Sequence, residues 1–137
     1  MKKQVLVALV LLSLLTGYGL AVTASRVLAD DEAGPAQVVR HVVLFKFKDD
    51  AKPEDIRKVE AAFCALSGKI DVIRGMEWGT DVSPEGLSQG FTHCFFLTFD
   101  NAADRDAYLV HPDHKAFGEG LGPVLDKVAV VDYYTKP

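Results

Sequence analysis

Polar and apolar residues alternate along the stretch QVVRHVVLFKFK, which runs from Gln37 to Lys48. Successive side chains of an extended chain point to opposite faces, so a period of two residues is typical of a β-strand. One face would carry an imidazole and three apolar side chains: His41, Val43, Phe45 and Phe47. The pattern therefore predicts a first strand that packs this face against the core.

The period changes to that of a helix in the next segment, KPEDIRKVEAAFCALSGKI. Pro53 and the two acidic residues after it favour a first helical turn, and Ser67-Gly68 favours a stop. Between these signals the apolar residues recur at intervals of three and four: Ile56, Val59, Phe63 and Leu66. The segment predicts an amphipathic helix.

Three further strands and a second helical region complete the predicted order. VIRGMEWGTDV and FTHCFFLTF predict the second and third strands, and DKVAVVDYYT predicts the last. Between the last two strands, Asn101 favours a helix start and Pro112 interrupts the helix. The order strand, helix, strand, strand, helix, strand is that of a ferredoxin-like α+β domain, a βαββαβ unit.

Helices on one side of a four-stranded sheet would leave its other side uncovered. The uncovered side would carry Val42, Leu44, Cys94 and Phe96. Soluble proteins rarely leave an apolar patch of this kind in water. We therefore expect a second copy of the chain to cover it around a twofold axis, which predicts a homodimer.

The first residues are typical of an export signal. A short positive segment, MKKQ, precedes the uncharged apolar run VLVALVLLSLL, which is short for a membrane span. Residues 1–29 are predicted to be a signal peptide cleaved after Ala29 or after Ala24, followed by a polar leader at 30–37 and one domain at 38–137. The expected location is secreted or periplasmic, with no stable membrane association after cleavage. An uncleaved anchor is the alternative, and it also places the domain outside the cytoplasm.

The net charge argues against one class of partner, and the two cysteines raise the question of a disulfide. The formal net charge is −4, and Lys2 and Lys3 leave with the predicted signal peptide. An acidic domain without a basic stripe argues against a nucleic-acid partner. Cys64 and Cys94 lie within apolar patterns, which favours two buried thiols, while a disulfide stays open in an exported protein.

The stretch DAYLVHPDHKAF carries the candidate chemistry. Pro112 should end one helix and begin another. In a functional interpretation, the break turns His114 into a cavity beside Tyr108. There a neutral imidazole can take a proton from carbon next to a carbonyl, and the phenol can donate to the enolate oxygen. In a structural interpretation, His111 caps the second helix, and Tyr108 and His114 are hydrogen-bonded core residues.

A metal site built from histidines is the less favoured interpretation. The chain has four histidines: His41, His93, His111 and His114. In a ferredoxin-like sheet the first and third strands run antiparallel, and His41 and His93 each lie near the start of their strand. They should therefore lie at opposite ends of the sheet, and no metal site is predicted.

Several segments together resemble a known family. RHVVLFKFKDD, WGTDVS, GFTHCFFLTF, YLVHPDH and VVDYY, in this order, resemble the stress-response A/B barrel (Dabb) family from residue 38 to residue 134. The resemblance implies a homodimer in which two ferredoxin-like protomers form a dimeric α+β barrel. Plant polyketide cyclases of that family are similar in motif, and they need no cofactor or metal for an intramolecular aldol condensation. Their catalytic tyrosine and histidine match Tyr108 and His114, and two further cavity histidines match His41 and His93.

Two departures from the cyclases change the expected pocket. Glu60 stands where the cyclases have an aromatic residue in the first helix, and Leu125 stands in place of a tryptophan. The leading prediction is thus an exported Dabb protein of undefined physiological role that binds a small apolar molecule in its barrel, without a cofactor. The candidate ligand-binding residues are His41, His93, His111, Phe63, Val43 and Phe95.

Two enzymatic alternatives stay open beside the binding protein. One is a cofactor-free cyclase or isomerase of aldol type that works through Tyr108 and His114. The other, by analogy of fold only, is a haem or quinol monooxygenase. Whether the protein is an enzyme is not decided by its sequence.

Overall fold

The computed structural model describes residues 37–136 of the chain. The predicted signal peptide, both predicted cleavage sites and leader residues 30–36 lie outside the described residues. Within the described range, each helix is too short or too polar to cross a membrane.

The described residues form one antiparallel sheet of four strands and three α-helices. The strands are β1 (Val39–Phe47), β2 (Gly75–Thr80), β3 (His93–Phe99) and β4 (Leu125–Tyr134). The helices are α1 (Pro53–Cys64), α2 (Ala102–Val110) and α3 (Pro112–Glu119), and a 3-10 turn at Ala65–Gly68 extends α1. The order across the sheet is β2-β3-β1-β4. This topology confirms the predicted ferredoxin-like α+β fold, with its second helical region divided at Pro112.

The core lies between the helices and one face of the sheet. The alternation predicted for β1 is confirmed, because its odd-numbered residues are buried and its even-numbered residues are half-buried. Four phenylalanine rings meet at the centre: Phe45, Phe63, Phe95 and Phe117. The rings of Phe63 and Phe95 are stacked with their centroids 4.0 Å apart. This aromatic cluster holds α1 and α3 against the middle of the sheet.

The opposite face of the sheet is left uncovered in a single chain, as predicted. Val42, Leu44, Cys94 and Phe96 are each half-buried. Strand β4 adds two exposed apolar residues on the same face, because Val131 pairs with Val42 and Tyr133 pairs with Arg40. We call this surface the open sheet face.

The second and third strands begin later than their sequence patterns predict. The second strand begins at Gly75 rather than Val72, because the amide of Ile73 donates to the carbonyl oxygen of Ile70 and closes a turn. That turn places Ile73 in the core without a strand. The third strand begins at His93 rather than Phe91, whose amide donates to Ser88 in the preceding loop.

The two cysteines are free and half-buried. Cys64 ends α1, whereas Cys94 lies on the open sheet face. Burial raises the pKa of both thiols above the usual value, so neither is an activated nucleophile in the folded chain.

Candidate functional site

The second helical region breaks at a single residue, and local sequence builds the break. The backbone of His111 is extended, with φ −62° and ψ 138°, and Pro112 takes the first position of α3. The amide of Asp113 donates to Nδ1 of His111 over 3.2 Å. His111 therefore caps α3, as the structural interpretation of the sequence predicts.

The break brings Tyr108 and His114 together. Their ring centroids lie 4.3 Å apart, and Tyr108 is 1% exposed. Nδ1 of His114 lies 3.2 Å from the carbonyl oxygen of Leu109. Because a carbonyl oxygen only accepts, Nδ1 carries the proton of the neutral ring, and Nε2 keeps its lone pair. The geometry thus assigns Nε2 as the basic atom of His114.

Burial favours the neutral form of both Tyr108 and His114. It raises the pKa of the Tyr108 phenol far above the usual value, so the hydroxyl keeps its proton at physiological pH. Burial is also the main reason that the pKa of His114 lies below 6.5, and His41 and His111 lower it further. The pair therefore combines a neutral imidazole with a protonated phenol.

A third ring, that of His41, adjoins Tyr108 from the sheet. His41 lies on β1, is 4% exposed, and meets Tyr108 edge to face with the centroids 5.6 Å apart. Nδ1 of His41 lies 2.6 Å from Oδ1 of Asp132 on β4, and Arg105 of α2 donates to the other oxygen of Asp132. Sequence reasoning placed His41 in the site but missed Asp132 and Arg105.

His93 lies apart from this group. In the register of β1 and β3, His93 is opposite Phe45 while His41 is opposite Leu97, so four residues of strand separate the two histidines. Nε2 of His93 lies 3.0 Å from Oε1 of Glu60, and Trp78 stacks parallel to its ring. Among the described residues no cluster of histidine, cysteine and acidic side chains has the geometry to hold a metal ion.

The remaining predicted ligand residues form part of the core. Val43, Phe63 and Phe95 are at most 5% exposed, and the two rings belong to the aromatic cluster. A cavity of about 410 Å³ lies beside this cluster, between α1 and the chain from residue 116 to residue 124. Its apolar lining includes Val59, Ala62, Phe117, Leu121 and Val124.

Strand β4 presents two apolar side chains on the side of the sheet that carries His41, and the helices leave them open. Val128 and Val130 share a face of the sheet with Asp132, because they pair with Phe45 and Val43 on β1. This is the face that the helices cover elsewhere, yet the two valines are 52% and 51% exposed. We call this surface the valine flank.

Fold and site together define a class of protein. The chain is a ferredoxin-like α+β domain with an uncovered sheet face and a polar site where a broken helix meets the sheet. Within that class, it belongs to the family described as Stress responsive A/B Barrel Domain (Dabb), whose model matches residues 39–135. The resemblance stated from the sequence is confirmed.

Two curated relatives are plant proteins. The stress-response A/B barrel domain-containing protein HS1 of Arabidopsis thaliana is 38% identical over 104 residues, which cover 76% of this chain and 93% of HS1. The olivetolic acid cyclase of Cannabis sativa is 27% identical over 95 residues, which cover 69% of this chain and 94% of the cyclase. The chain thus spans nearly the whole length of both relatives.

Solved structures show the same fold. A hydroxynitrile lyase from Passiflora edulis superposes with a TM-score of 0.70 at 28% identity, covering 74% of this chain and 96% of the lyase. A dimeric protein of unknown function from Bacteroides fragilis superposes with a TM-score of 0.59 at 35% identity, covering 72% of this chain and 96% of that chain. Proteins similar to this chain in sequence or fold therefore include one named as a cyclase, one named as a lyase and one described as a dimer.

Proposed function

We propose that the protein binds a small, largely apolar molecule that carries a carbonyl group, with this group beside Tyr108 and His114. The observation that carries the proposal is that the ring centroids of Tyr108 and His114 lie 4.3 Å apart. The phenol is protonated, and Nδ1 of the imidazole already contacts the Leu109 carbonyl oxygen. The phenol is a donor for a carbonyl oxygen. The valine flank supplies apolar surface for the remainder of the molecule, on the same side of the sheet as His41.

The same pair favours a second function, cofactor-free proton transfer. Nε2 of His114 is unprotonated at neutral pH because burial lowers the pKa of the ring. It can take a proton from carbon next to the carbonyl, while the Tyr108 hydroxyl donates a hydrogen bond to the enolate oxygen. Return of the proton to another carbon gives an isomer. Attack of the enolate carbon on a second carbonyl gives an alkoxide, and return of the proton from His114 to its oxygen gives an aldol. The names of the cyclase and the lyase support this chemistry.

A homodimer and an exported location complete the proposal. The open sheet face and the dimeric neighbour from Bacteroides fragilis both support pairing of two sheets. Export is supported by the N-terminal sequence alone, which is positive, then apolar, then small-residue in character. Mass analysis of protein from the producing cell should find a chain that begins at Asp30 or Ser25. A full-length chain retained in the cytoplasm would end the export proposal.

Calorimetric titration tests the binding proposal. The probes are a panel of alkyl aryl ketones and β-diketones, with the matching hydrocarbons as controls for simple apolar binding. We expect at least one ketone to bind the wild type, and Tyr108→Phe to weaken that affinity by about five- to tenfold through loss of one hydrogen bond.

Tyr133→Phe is the matched control, because it removes a phenol oxygen from the open sheet face, on the other side of the sheet. It should bind the ketone with wild-type affinity. Equal binding of ketones and hydrocarbons, or wild-type affinity in Tyr108→Phe, would contradict the proposal.

A further inference from the structure

Asp132 uses both of its carboxylate oxygens in the described part of the chain. Oδ1 lies 2.6 Å from Nδ1 of His41, and Oδ2 accepts a hydrogen bond from the Arg105 guanidinium. Nε of Arg105 donates to Asp106 over 2.8 Å. The side chains of Arg105 and Asp132 are only 22% and 27% exposed. The contacts therefore join α2, β4 and β1 through partly buried side chains.

The Asp132 carboxylate determines which ring nitrogen of His41 carries a proton. An ionised carboxylate only accepts, so the ring nitrogen that faces it must carry a proton. Nδ1 of His41 is therefore protonated, and in the neutral ring Nε2 is not. The same contact fixes the plane of the ring, which lies edge to face against Tyr108.

We propose that Arg105 is a positioning residue of the Tyr108–His114 site, acting through Asp132 and His41. Its guanidinium holds the Asp132 carboxylate in the orientation that His41 needs. His41 in turn forms the wall of the site against which the Tyr108 ring packs. The role assigned to Arg105 rests on the proposed function of that pair.

Nitrogen NMR of the histidine rings tests this role directly. The samples are the purified ¹⁵N-labelled protein and its Arg105→Gln and Arg105→Lys variants, all at pH 7. In the wild type, the two ring nitrogens of His41 should give the well-separated signals of the tautomer protonated at Nδ1. Arg105→Gln should leave the Asp132 carboxylate free to turn, so the His41 ring should populate both tautomers, its two nitrogen signals should move toward each other, and the signals of His114 should shift. Arg105→Lys keeps a donor for Asp132 and should restore the wild-type spectrum.

Arg74→Gln is the matched control, because Arg74 also donates to an aspartate, Asp100, over 2.7 Å and is exposed. Its spectrum should be that of the wild type. Unchanged His41 signals in Arg105→Gln, or equal changes in Arg74→Gln, would overturn the positioning role. The spectra need no ligand, so failure of every ketone to bind would remove the proposed function and leave the role of Arg105 in holding His41 to be judged separately.

Discussion

At the scale of single residues, the chemistry of the site depends on which ring nitrogen of each histidine already has a hydrogen-bond partner. Nδ1 of His114 contacts the Leu109 carbonyl, and Nδ1 of His41 contacts Asp132. Nδ1 of His111 accepts from the Asp113 amide. Of the three, His111 is an acceptor that caps a helix, whereas the other two keep a proton on Nδ1. His111 therefore supports the site through the helix break, and His114 is the base in the proposed proton transfer.

The lowered pKa of His114 predicts how stability depends on pH. In the unfolded chain its pKa is near 6.5, and in the folded chain it is lower. Below pH 6.5 the unfolded chain therefore binds more protons at this position, and the free energy of unfolding falls as pH decreases from 6.5 through the folded pKa. Above pH 6.5 this contribution is constant.

Urea unfolding of the wild type and of His114→Gln, from pH 8 to pH 5, measures the effect. His41, His93 and His111 are present in both proteins, so the difference between the wild type and the variant reports on His114. The stability of the wild type relative to the variant should decline below pH 6.5. A difference that stays constant across the range would show that His114 titrates alike in both states.

Local residue contacts could be predicted from the sequence, and distant ones could not. The cap at His111 and the break at Pro112 depend on neighbours along the chain, so the stretch from 106 to 117 predicts them. The partnership of His41 and Asp132 joins residues 91 positions apart and depends on the register of β1 against β4. Glu60 was noted as a departure from related cyclases, but its contact with His93 follows only from the packing of α1 on β3.

At the scale of elements, the position of Tyr108 depends on how α2 begins. Asn101 is extended, and its side chain accepts from the Asp104 amide over 3.0 Å. Asn101→Ala should destabilise the protein by about 1 kcal/mol, because a helix amide loses its partner. Asn101→Asp keeps the acceptor and should stay within a few tenths of a kcal/mol of the wild type. Chemical denaturation of the three proteins checks this, and equal stability of Asn101→Ala and the wild type would contradict it.

Alternation predicts that a strand exists better than it predicts where the strand starts. Val72 and Ile73 extend the apolar pattern of β2, yet they enter the core from a turn. Phe91 extends that of β3, yet it belongs to a loop in which Gly86 and Gly90 have positive φ. In both cases a buried or half-buried apolar side chain is compatible with strand and turn alike, so periodicity alone does not separate them.

At the scale of the whole molecule, the open sheet face of a single protomer exposes apolar side chains to water, which is unfavourable for a monomer. Light scattering of the wild type at micromolar concentration should give twice the protomer mass. Leu44→Asp places a charge on the open sheet face and should give a monomer of lower melting temperature, because an unpaired carboxylate is costly to bury.

Val82→Asp is the control for the dimer experiment, since Val82 is 90% exposed in the loop before β3. It should leave the mass of the wild type unchanged. A stable monomeric wild type would contradict the argument that the open sheet face pairs with a second copy.

The central claim is that Tyr108 and His114 act as a unit on a ligand, and a double-mutant cycle tests it most directly. Melts and ligand titrations or turnover assays would compare the wild type with Tyr108→Phe, His114→Ala and the double variant. Tyr108→Phe should change the free energy of unfolding by about 1 kcal/mol or less, and His114→Ala should cost about 1–2 kcal/mol. Each single variant should bind the ligand more weakly or lose turnover, and the double variant should be little worse than either one. A large loss of stability in Tyr108→Phe with ligand binding unchanged would contradict the account.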